Sequence, residues 1–271
     1  MNLLYCGDGG IEKGISLSVL SLVRQIQEPL NVYVLTARVD WNGHRYEPIT
    51  EERIAQIRSF LKEADERNQI TKIDISEQFQ KQLPEANMDT RFTPCCMLRL
   101  YADQIAGLPE RLLYLDADVL CRGDPSEFYH QDMEDWEIAG TLDYYGRWFF
   151  RKRLLHMDYL NSGVLLLNLK RIRETGLFAK CRELCRKKKM FMPDQSALNK
   201  LAAAKKIVPR KYNEQRKLQK DTVLQHFTTT FRFFPWVHTV SAKPWEPEKL
   251  HTVLKLYEYD ELLEQYQAYE E

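Results

Sequence analysis

The stretch Leu112-Leu113-Tyr114-Leu115-Asp116-Ala117-Asp118-Val119-Leu120 is the most informative part of the sequence. A short apolar run of this kind predicts a buried strand, and here two acids follow it, one residue apart. Because residues i and i+2 of an extended backbone project to the same side, Asp116 and Asp118 can approach one hard cation such as Mg²⁺ or Mn²⁺. Two solvated acids in a turn are the alternative interpretation, and the buried strand before them favours the metal site.

Strand and helix patterns alternate on the amino-terminal side of this stretch. Short apolar runs bounded by turn residues predict strands, and apolar residues at helical spacing predict the helices between them. This alternation predicts an α/β fold with a mainly parallel sheet and helices on both faces. In chain order the patterns are a strand at Asn2–Cys6, a helix over 15–26, a strand at Asn31–Thr36, a helix over 50–67 with Thr50 as its cap, a strand over 70–75 and a strand at Arg111–Leu115.

Acidic turns follow two of the predicted strands. Asp8 comes after the first strand, and Asp116 and Asp118 come after the strand at Arg111–Leu115. Ligands of parallel sheets bind beyond the carboxyl ends of the strands. We therefore expect these two turns to line one crevice.

The second half of the chain has a more mixed pattern and no convincing linker. The simplest interpretation is a single Rossmann-like domain over residues 1–245, followed by a helical C-terminal tail over 246–271. The predicted elements are a strand over 159–169, a helix over 170–190 with a basic outer face, a helix over 194–204, a loop or exposed strand over 205–220, a strand over 223–227 and helical spacing over 245–271.

Composition and charge exclude several classes of protein. The 271 residues carry 39 Lys plus Arg and 39 Asp plus Glu, so the surplus of basic residues typical of nucleic-acid binders is missing. No uncharged apolar run approaches the roughly 18 residues of a membrane helix. The amino terminus lacks the basic region of a signal peptide. The six cysteines do not have the spacing of a disulfide framework, which favours reduced thiols in a cytoplasmic protein.

Two enzyme classes place Asp-x-Asp after a buried strand. Haloacid-dehalogenase-like phosphatases use the first Asp as a nucleophile, and their motif normally opens the chain. Nucleotide-sugar glycosyltransferases use the pair to hold a metal-bound diphosphate. Here the motif begins at Asp116, after three strand patterns, and that position favours the transferase.

Several blocks in a fixed order resemble one particular family. Together the blocks span about residues 1–245. They are Leu4-Tyr5-Cys6-Gly7-Asp8, Leu98-Arg99-Leu100, Leu113-Tyr114-Leu115-Asp116-Ala117-Asp118, Tyr159-Leu160-Asn161-Ser162-Gly163-Val164, Asp194-Gln195-Ser196-Ala197-Leu198-Asn199 and Ala242-Lys243-Pro244-Trp245. In these blocks the chain resembles glycosyltransferase family 8, a retaining group with the GT-A fold that includes bacterial lipopolysaccharide galactosyl- and glucosyltransferases and glycogenin.

The resemblance implies a role for each matched position. Asp8 corresponds to an acid at the uracil, Arg99 to an arginine that reaches the donor sugar or diphosphate, and Asp143 to an acid on the hexose hydroxyls. Asp194 and Gln195 correspond to the pair beneath the anomeric carbon. The implied donor-binding set is Cys6, Gly7, Asp8, Arg99, Asp116, Ala117, Asn161 and Lys243, and the implied catalytic set is Asp143, Asp194 and Gln195.

The resemblance also implies that a histidine shortly before the Lys-Pro-Trp block completes the metal site. His226 follows an apolar strand but lies 17 residues before Lys243, so residues 229–237 would be an insertion. His238 lies five residues before Lys243 and lacks the aromatic residue and the glycine that follow the histidine in the family. We prefer His226, with His238 as the alternative, and because that glycine is missing we assign the diphosphate contact to Lys243. The predicted metal ligands are Asp116, Asp118 and His226.

The expected reaction is transfer of glucose or galactose from UDP-glucose or UDP-galactose to a saccharide, lipid-linked or other cell-envelope acceptor, with Mn²⁺ or Mg²⁺ as cofactor. Retention has two routes, a covalent sugar–enzyme intermediate on Asp143 or Asp194, or same-face attack within an ion pair. A catalytically inactive UDP-sugar-binding protein is the non-enzymatic alternative. The basic segments 182–189 and 205–220 are interpreted either as solvated surface or as a patch for an anionic acceptor or for peripheral contact with the inner face of the membrane.

Overall fold

A seven-stranded sheet forms the centre of the protein. The structure is a computed structural model, and it describes residues 1–90, 93–144, 158–232 and 238–270. The strands in these ranges are β1 (Asn2–Cys6), β2 (Asn31–Thr36), β3 (Val39–Trp41), β4 (His44–Tyr46), β5 (Gln69–Asp74), β6 (Arg111–Leu115), β7 (Val119–Cys121), β8 (Ile138–Leu142), β9 (Leu160–Asn168), β10 (Lys205–Ile207), β11 (Leu224–His226), β12 (Thr230–Arg232) and β13 (His238–Val240).

The sheet is mixed and mostly parallel, as the sequence predicts. Its strand order is β10-β8-β9-β6-β1-β2-β5. Neighbouring strands pair in parallel except at β9, which is antiparallel to both β6 and β8. Outside this sheet, β11 pairs with β7, β12 with β13 and β3 with β4, all antiparallel. The β7–β11 pair matters most for the site, because β7 follows the Asp116 turn directly and β11 ends at His226.

Helices cover both faces of the sheet. Thr50 caps the second helix through its side chain, which accepts from the backbone N–H of Arg53 at 3.2 Å, as expected for an N-cap. A 3-10 helix at Pro94–Gln104 carries Arg99. The α-helices within the described residues are α1 (Glu12–Val23), α2 (Glu51–Ala64), α3 (Ser76–Lys81), α4 (Ser126–Tyr129), α5 (Leu169–Thr175), α6 (Leu177–Lys187), α7 (Pro193–Leu201), α8 (Pro247–Lys249) and α9 (Asp260–Glu270).

Two hydrophobic cores lie on opposite faces of the sheet because side chains alternate along each strand. Leu3 and Tyr5 of β1 pack into one core with α1, α2 and α9. Leu4 and Cys6 pack into the other core with the 3-10 helix and with α5, α6 and α7. A fully buried leucine contributes about 1.5–3 kcal/mol relative to an exposed one, so both cores stabilise the sheet that carries the site.

The single helix predicted over residues 170–190 is wrong. Gly176 adopts the left-handed conformation with φ 67°, and it separates α5 from α6. Glycine reaches this conformation without the steric cost that a side chain would impose. The expected basic outer face is present, since Lys180, Arg186 and Lys187 are exposed, but Arg182 does not belong to it, because it is 9% exposed and forms an ion pair with Asp103.

The C-terminal tail is interrupted rather than continuously helical. A π-helical turn at Leu250–Leu254 follows α8, and Lys255 then adopts a left-handed conformation with φ 55° before α9 begins. Buried residues of α9, including Leu262 and Tyr266, belong to the same hydrophobic core as α1. The tail therefore packs onto the domain rather than extending away from it.

No helix within the described residues is both long and apolar enough to cross a membrane. All six cysteines fall inside the described ranges and are free thiols. Burial raises the pKa of the Cys121 thiol to about 12, which keeps it protonated and unreactive. The cysteines thus act as small apolar residues, and five of the six are buried.

Candidate active site

The predicted site residues meet at one edge of the sheet. Asp8 follows β1, Asp116 follows β6 and Asp143 follows β8, and these three strands run in the same direction. Asn161 lies near the start of β9, which is antiparallel to its neighbours, so this residue reaches the same edge. A crevice at the carboxyl ends of parallel strands is the usual ligand site of such sheets.

Asp116, Asp118 and His226 converge at one side of this crevice. The pairing of β7 with β11 places His226 opposite Val119. Nε2 of His226 lies 3.2 Å from Oδ1 of Asp118 and 3.6 Å from Oδ2 of Asp116. One ligand atom from each of the three residues lies within 4.8 Å of the other two. With Lys243, these residues are called the metal end below.

The space at the metal end depends on a glycine. A Cβ atom on Gly163 would lie 2.0 Å from Cε1 of His226 and 2.8 Å from Oδ2 of Asp116, far closer than van der Waals contact. Glycine is the residue that allows such a close approach. Two carboxylate oxygens and one imidazole nitrogen held in this way suit a divalent cation such as Mn²⁺ or Mg²⁺. The donor set therefore fits the predicted cofactor.

Lys243 lies directly beside the acids. Its Nζ forms an ion pair with Asp118 and donates to the backbone oxygen of Phe227 at 3.1 Å. Burial raises the pKa of Asp118, but the interactions with His226 and Lys243 outweigh burial and hold that pKa below its ordinary value. Asp118 is therefore ionised at neutral pH, the state that a metal ligand requires.

Arg99 contacts two acids of the site at the same time. Arg99 is 4% exposed, and its Nη2 donates to Oδ1 of Asp116 at 2.9 Å while Nε lies 3.2 Å from Oδ2 of Asp194. Its Nη1 donates to the backbone oxygen of Ser162 at 2.6 Å. The same group lies 3.9 Å above the ring of Tyr114. These contacts join Arg99 to the protein, whereas the resemblance implies contact with the donor.

Asp143, Asn161, Asp194 and Gln195 form the other side of the crevice, called the sugar end below. Oδ2 of Asp143 accepts from Nδ2 of Asn161 at 2.9 Å and from Nε2 of Gln195 at 3.2 Å. Oε1 of Gln195 accepts from the backbone N–H of Ser162 at 3.0 Å. Burial raises the pKa of Asp194 above its ordinary value, and the charge of Arg99 offsets this only in part.

One carboxylate oxygen of Asp8 has no N–H or O–H donor in the part of the chain that the structure describes. Asp8 is buried, and its Oδ1 accepts from the backbone N–H of Gly10 at 2.8 Å. Its Oδ2 accepts from no N–H or O–H within the described residues, an arrangement that points to a ligand donor. Cys6 is the last residue of β1, Gly7 connects it to Asp8, and Ala117 lies between the two acids of the metal end.

The structure adds residues that the sequence interpretation missed. Asn213 is fully buried, and its Oδ1 lies 3.2 Å from Nδ1 of His226. The hydroxyl of Tyr114 donates to Oδ1 of Asp116 at 2.6 Å. Asn213 lies inside the basic segment 205–220, whose many charged residues predict an exposed surface. The uncharged amide of Asn213 was the one feature of the sequence that could have indicated a buried residue there. The side chain of the alternative ligand His238 lies outside the described part of the structure, as do residues 233–237 of the expected insertion.

The edge of the sheet thus combines a half-buried carboxylate–histidine cluster with a buried, hydrogen-bonded carboxylate–amide network, as expected for a nucleotide-sugar transferase. The chain matches the model of the family described as "Glycosyl transferase family 8" over residues 2–249. It therefore belongs to glycosyl transferase family 8, and the family predicted from the sequence is confirmed.

Curated relatives carry more specific names. The chain is 30% identical over 175 residues to a lipopolysaccharide 1,2-glucosyltransferase of Escherichia coli K12, a match that covers 59% of this chain and 51% of that protein. It is 26% identical over 162 residues to a lipopolysaccharide 1,3-galactosyltransferase of Salmonella typhimurium, covering 54% of this chain and 47% of that one. The chain thus spans about half the length of these relatives.

Solved structures support the fold. The structure of an active-site mutant of LgtC superposes with a TM-score of 0.71 at 18% identity, covering 99% of this chain and 96% of that one. GlyE of Streptococcus pneumoniae gives a TM-score of 0.61 at 20% identity, with 98% and 64% covered. These similarities confirm the predicted GT-A architecture.

Proposed function

We propose that the protein is a retaining hexosyltransferase that moves glucose or galactose from a UDP-sugar to a saccharide acceptor of the cell envelope and requires a divalent cation. One observation carries this proposal. The proposed cation ligands Asp116, Asp118 and His226 lie beside the buried hydrogen-bonded network of the sugar end, whose polar groups can bind sugar hydroxyls. A metal-bound diphosphate and a hexose need these two groups next to each other. The curated relatives, named as lipopolysaccharide glucosyl- and galactosyltransferases, support the same reaction class.

The metal end would receive the diphosphate. Mn²⁺ or Mg²⁺ held by Asp116, Asp118 and His226 would supply Lewis-acid stabilisation of the leaving diphosphate. Lys243 adds a positive charge at the same place. As the donor binds, the ammonium group of Lys243 can leave Asp118 and bind a phosphate oxygen instead. Such preorganised charge is effective because the site needs no reorganisation as negative charge develops on the leaving oxygen.

The sugar end would bind the hexose and stabilise its anomeric carbon. Asp143 and Asn161 offer an acceptor and a donor for hydroxyls, and Asp194 with Gln195 would lie beneath the carbon as it becomes oxocarbenium-like. A covalent intermediate on Asp143 or Asp194 is one route to retention. Same-face attack within an ion pair is the other, with the leaving phosphate accepting the proton of the acceptor.

Asp8 supports a uracil nucleotide as the donor. The imide N–H of uracil is a donor that can pair with the unsatisfied Oδ2 of Asp8. Family membership and the names of the relatives point the same way, towards a UDP-hexose and a lipopolysaccharide-type saccharide. We further propose that the protein acts in the cytoplasm. The basic residues over 205–220 are the proposed surface for an anionic acceptor or for peripheral membrane contact.

A panel of nucleotide sugars tests the proposal. UDP-glucose, UDP-galactose and GDP-mannose are incubated with Mn²⁺ or with EDTA, and release of the nucleoside diphosphate is measured. We expect Mn²⁺-dependent UDP release from one of the two UDP-sugars and loss of this activity in Asp118→Asn. Phosphate release from simple phosphomonoesters would instead support the phosphatase alternative. Tight UDP binding without turnover on any acceptor would support the inactive binding protein. Proton NMR of the product, through its anomeric coupling, then decides whether the α configuration is retained.

A further inference from the structure

The buried amide of Asn213 connects the metal end to the sugar end. Asn213 is 0% exposed and follows a 3-10 turn at Arg210–Tyr212. Its Oδ1 lies 3.2 Å from Nδ1 of His226, and its Nδ2 donates to Oδ1 of Asn161 at 2.9 Å. Nδ2 of Asn161 then donates to Oδ2 of Asp143 at 2.9 Å. Four side chains thus form one continuous hydrogen-bonded chain.

The direction of each hydrogen bond follows from the carboxylate at the end of this chain. A carboxylate oxygen only accepts, so Asn161 must direct its NH₂ group towards Asp143 and its Oδ1 towards Asn213. The backbone N–H of Gly163 also donates to that Oδ1 at 3.0 Å, which excludes the flipped amide. Asn213 must then donate to Asn161, and its own Oδ1 is left to accept from Nδ1 of His226.

We propose that Asn213 is a positioning residue that holds His226 in the tautomer protonated at Nδ1. In this tautomer Nε2 carries the free lone pair, and Nε2 is the atom that faces Asp116 and Asp118. The inference rests on the proposed function, because it treats His226 as a metal ligand. It adds the residue that prepares this ligand and shows how the sugar end sets its orientation.

The neighbouring acids explain why His226 needs such a partner. In the absence of a metal ion, Oδ1 of Asp118 lies 3.2 Å from Nε2 and would favour a proton on that nitrogen. A proton there blocks the lone pair that binds a cation. An acceptor on the opposite side of the ring counteracts this preference, because a neutral imidazole carries only one N–H. Removing the outer partner of a metal-binding histidine typically costs about 10–100-fold in metal affinity.

Nitrogen NMR of metal-free protein tests the tautomer without any metal or substrate. The protein carries ¹⁵N-labelled histidine and is studied at a pH where the imidazoles are neutral, with His226→Gln used to assign the signal. We expect Nδ1–H in the wild type and a shift towards Nε2–H in Asn213→Leu. Nε2–H in the wild type, or an unchanged spectrum in Asn213→Leu, would overturn the proposal.

Calorimetric titration with Mn²⁺ alone tests the consequence for the metal. We expect Asn213→Leu to bind about 10–100-fold more weakly than the wild type. Asn213→Asp keeps an acceptor for Nδ1 of His226 but loses the donor to Oδ1 of Asn161, so it should keep the Nδ1–H tautomer and bind Mn²⁺ more tightly than Asn213→Leu. Equal Mn²⁺ affinity in Asn213→Leu and the wild type would refute the role. If the wild type binds no Mn²⁺, the proposed function fails, and the tautomer measurement still decides the role of Asn213.

A matched control separates this effect from loss of stability. Asn68 is also buried and also makes two hydrogen bonds, from the backbone N–H of Leu30 at 2.8 Å and to the backbone oxygen of Leu61 at 2.9 Å. Asn68→Leu should lower the melting temperature and leave the Mn²⁺ affinity and the His226 tautomer unchanged. An equal loss of Mn²⁺ affinity in Asn68→Leu would mean that Asn213 acts only through stability.

Discussion

At the metal end, Asp118 lies between His226 and Lys243, whereas at the sugar end Asp194 shares Arg99 with another acid. The environments of the two acids therefore shift their pKa values in opposite directions. For both, burial alone raises the pKa. His226 and Lys243 reverse this shift for Asp118, while Arg99 offsets only part of it for Asp194. Two carboxyl groups at the same sheet edge thus favour different charge states.

This difference matches what each end has to do. A metal site needs charge that is present before the ligand arrives, and Asp118 keeps its charge because Lys243 and the imidazole of His226 lie beside it. Beneath an anomeric carbon, a buried carboxylate is destabilised before the reaction. The positive charge that develops on the sugar then stabilises this carboxylate, which favours the transition state. Pairs of acids whose environments separate their pKa values commonly mark distinct chemical roles. The comparison thus supports separate roles for Asp118 and Asp194.

Filling the space at Gly163 should have the largest effect. Gly163→Ala places a methyl group where His226 and Asp116 now lie, so the imidazole has to move. We expect Mn²⁺ binding to disappear and transferase activity to fall by about 10³-fold or more, since metal stabilisation of the transition state is worth several kcal/mol. Strain should also lower the free energy of unfolding by about 1–3 kcal/mol. Calorimetry with Mn²⁺ and a steady-state assay measure both effects.

Gly123→Ala is the control for that experiment. Gly123 follows β7, and a Cβ atom there would come no closer than 3.9 Å to Val223, which is ordinary contact. This variant should bind Mn²⁺ and turn over as the wild type does. Undiminished Mn²⁺ affinity in Gly163→Ala would show that the cluster is not built around the space at Gly163, and the contrast between the two ends would lose its basis.

Local patterns in the sequence predicted much of the sheet correctly. The bounds of β1, β2 and β6 agree with the prediction because each is a short apolar run flanked by turn residues. The acids after β1 and β6 were expected at one edge, since parallel strands bring their carboxyl ends together. His226 was expected at the end of an apolar strand, and the structure places it beside Asp116 and Asp118.

The remaining features depend on contacts between distant segments. Arg99 bridges Asp116 and Asp194, residues 17 and 95 positions away, and no local pattern specifies such a bridge. Asn213 lies among charged neighbours, so its burial is visible only after β11 pairs with β7. The break at Gly176 is similar, because a single glycine is tolerated inside many helices and packing decides whether the helix ends there.

A change at Arg99 should affect both ends together, with a smaller effect than Gly163→Ala. The variant Arg99→Lys keeps the positive charge. A lysine side chain, however, cannot contact Asp116, Asp194 and the backbone oxygen of Ser162 at the same time. We expect kcat/KM to fall by about 10²-fold, equivalent to about 2.7 kcal/mol. Both Mn²⁺ affinity and sugar discrimination should weaken, as measured by calorimetry and by competing UDP-glucose with UDP-galactose.

Arg182→Lys is the matched control for Arg99→Lys. Arg182 is also a buried arginine, paired with Asp103 and with the backbone oxygen of Leu100, but it lies in α6. Its replacement should lower stability and leave kcat/KM unchanged. If Arg182→Lys reduces activity as much as Arg99→Lys does, the loss reflects general destabilisation, and Arg99 does not specifically join the two ends.

The smallest expected effect is a change of stability with pH, and its sign differs between the ends. Asp194 has a raised pKa when folded, so between its unfolded and folded pKa values the native state binds more protons and stability falls as pH rises. Asp194→Asn removes this loss, so in metal-free protein at pH 7 it should be more stable than the wild type. The advantage should vanish as pH falls towards the unfolded pKa of about 3.9.

Asp118 at the metal end has a lowered pKa, so its charge stabilises the fold above the unfolded pKa, and that stability is lost as pH falls through the folded pKa. Asp118→Asn should therefore be less stable than the wild type at pH 7. Urea unfolding of both variants at pH 7 and pH 4.5 measures the two differences, and the same sign at both ends would contradict the opposed charge states.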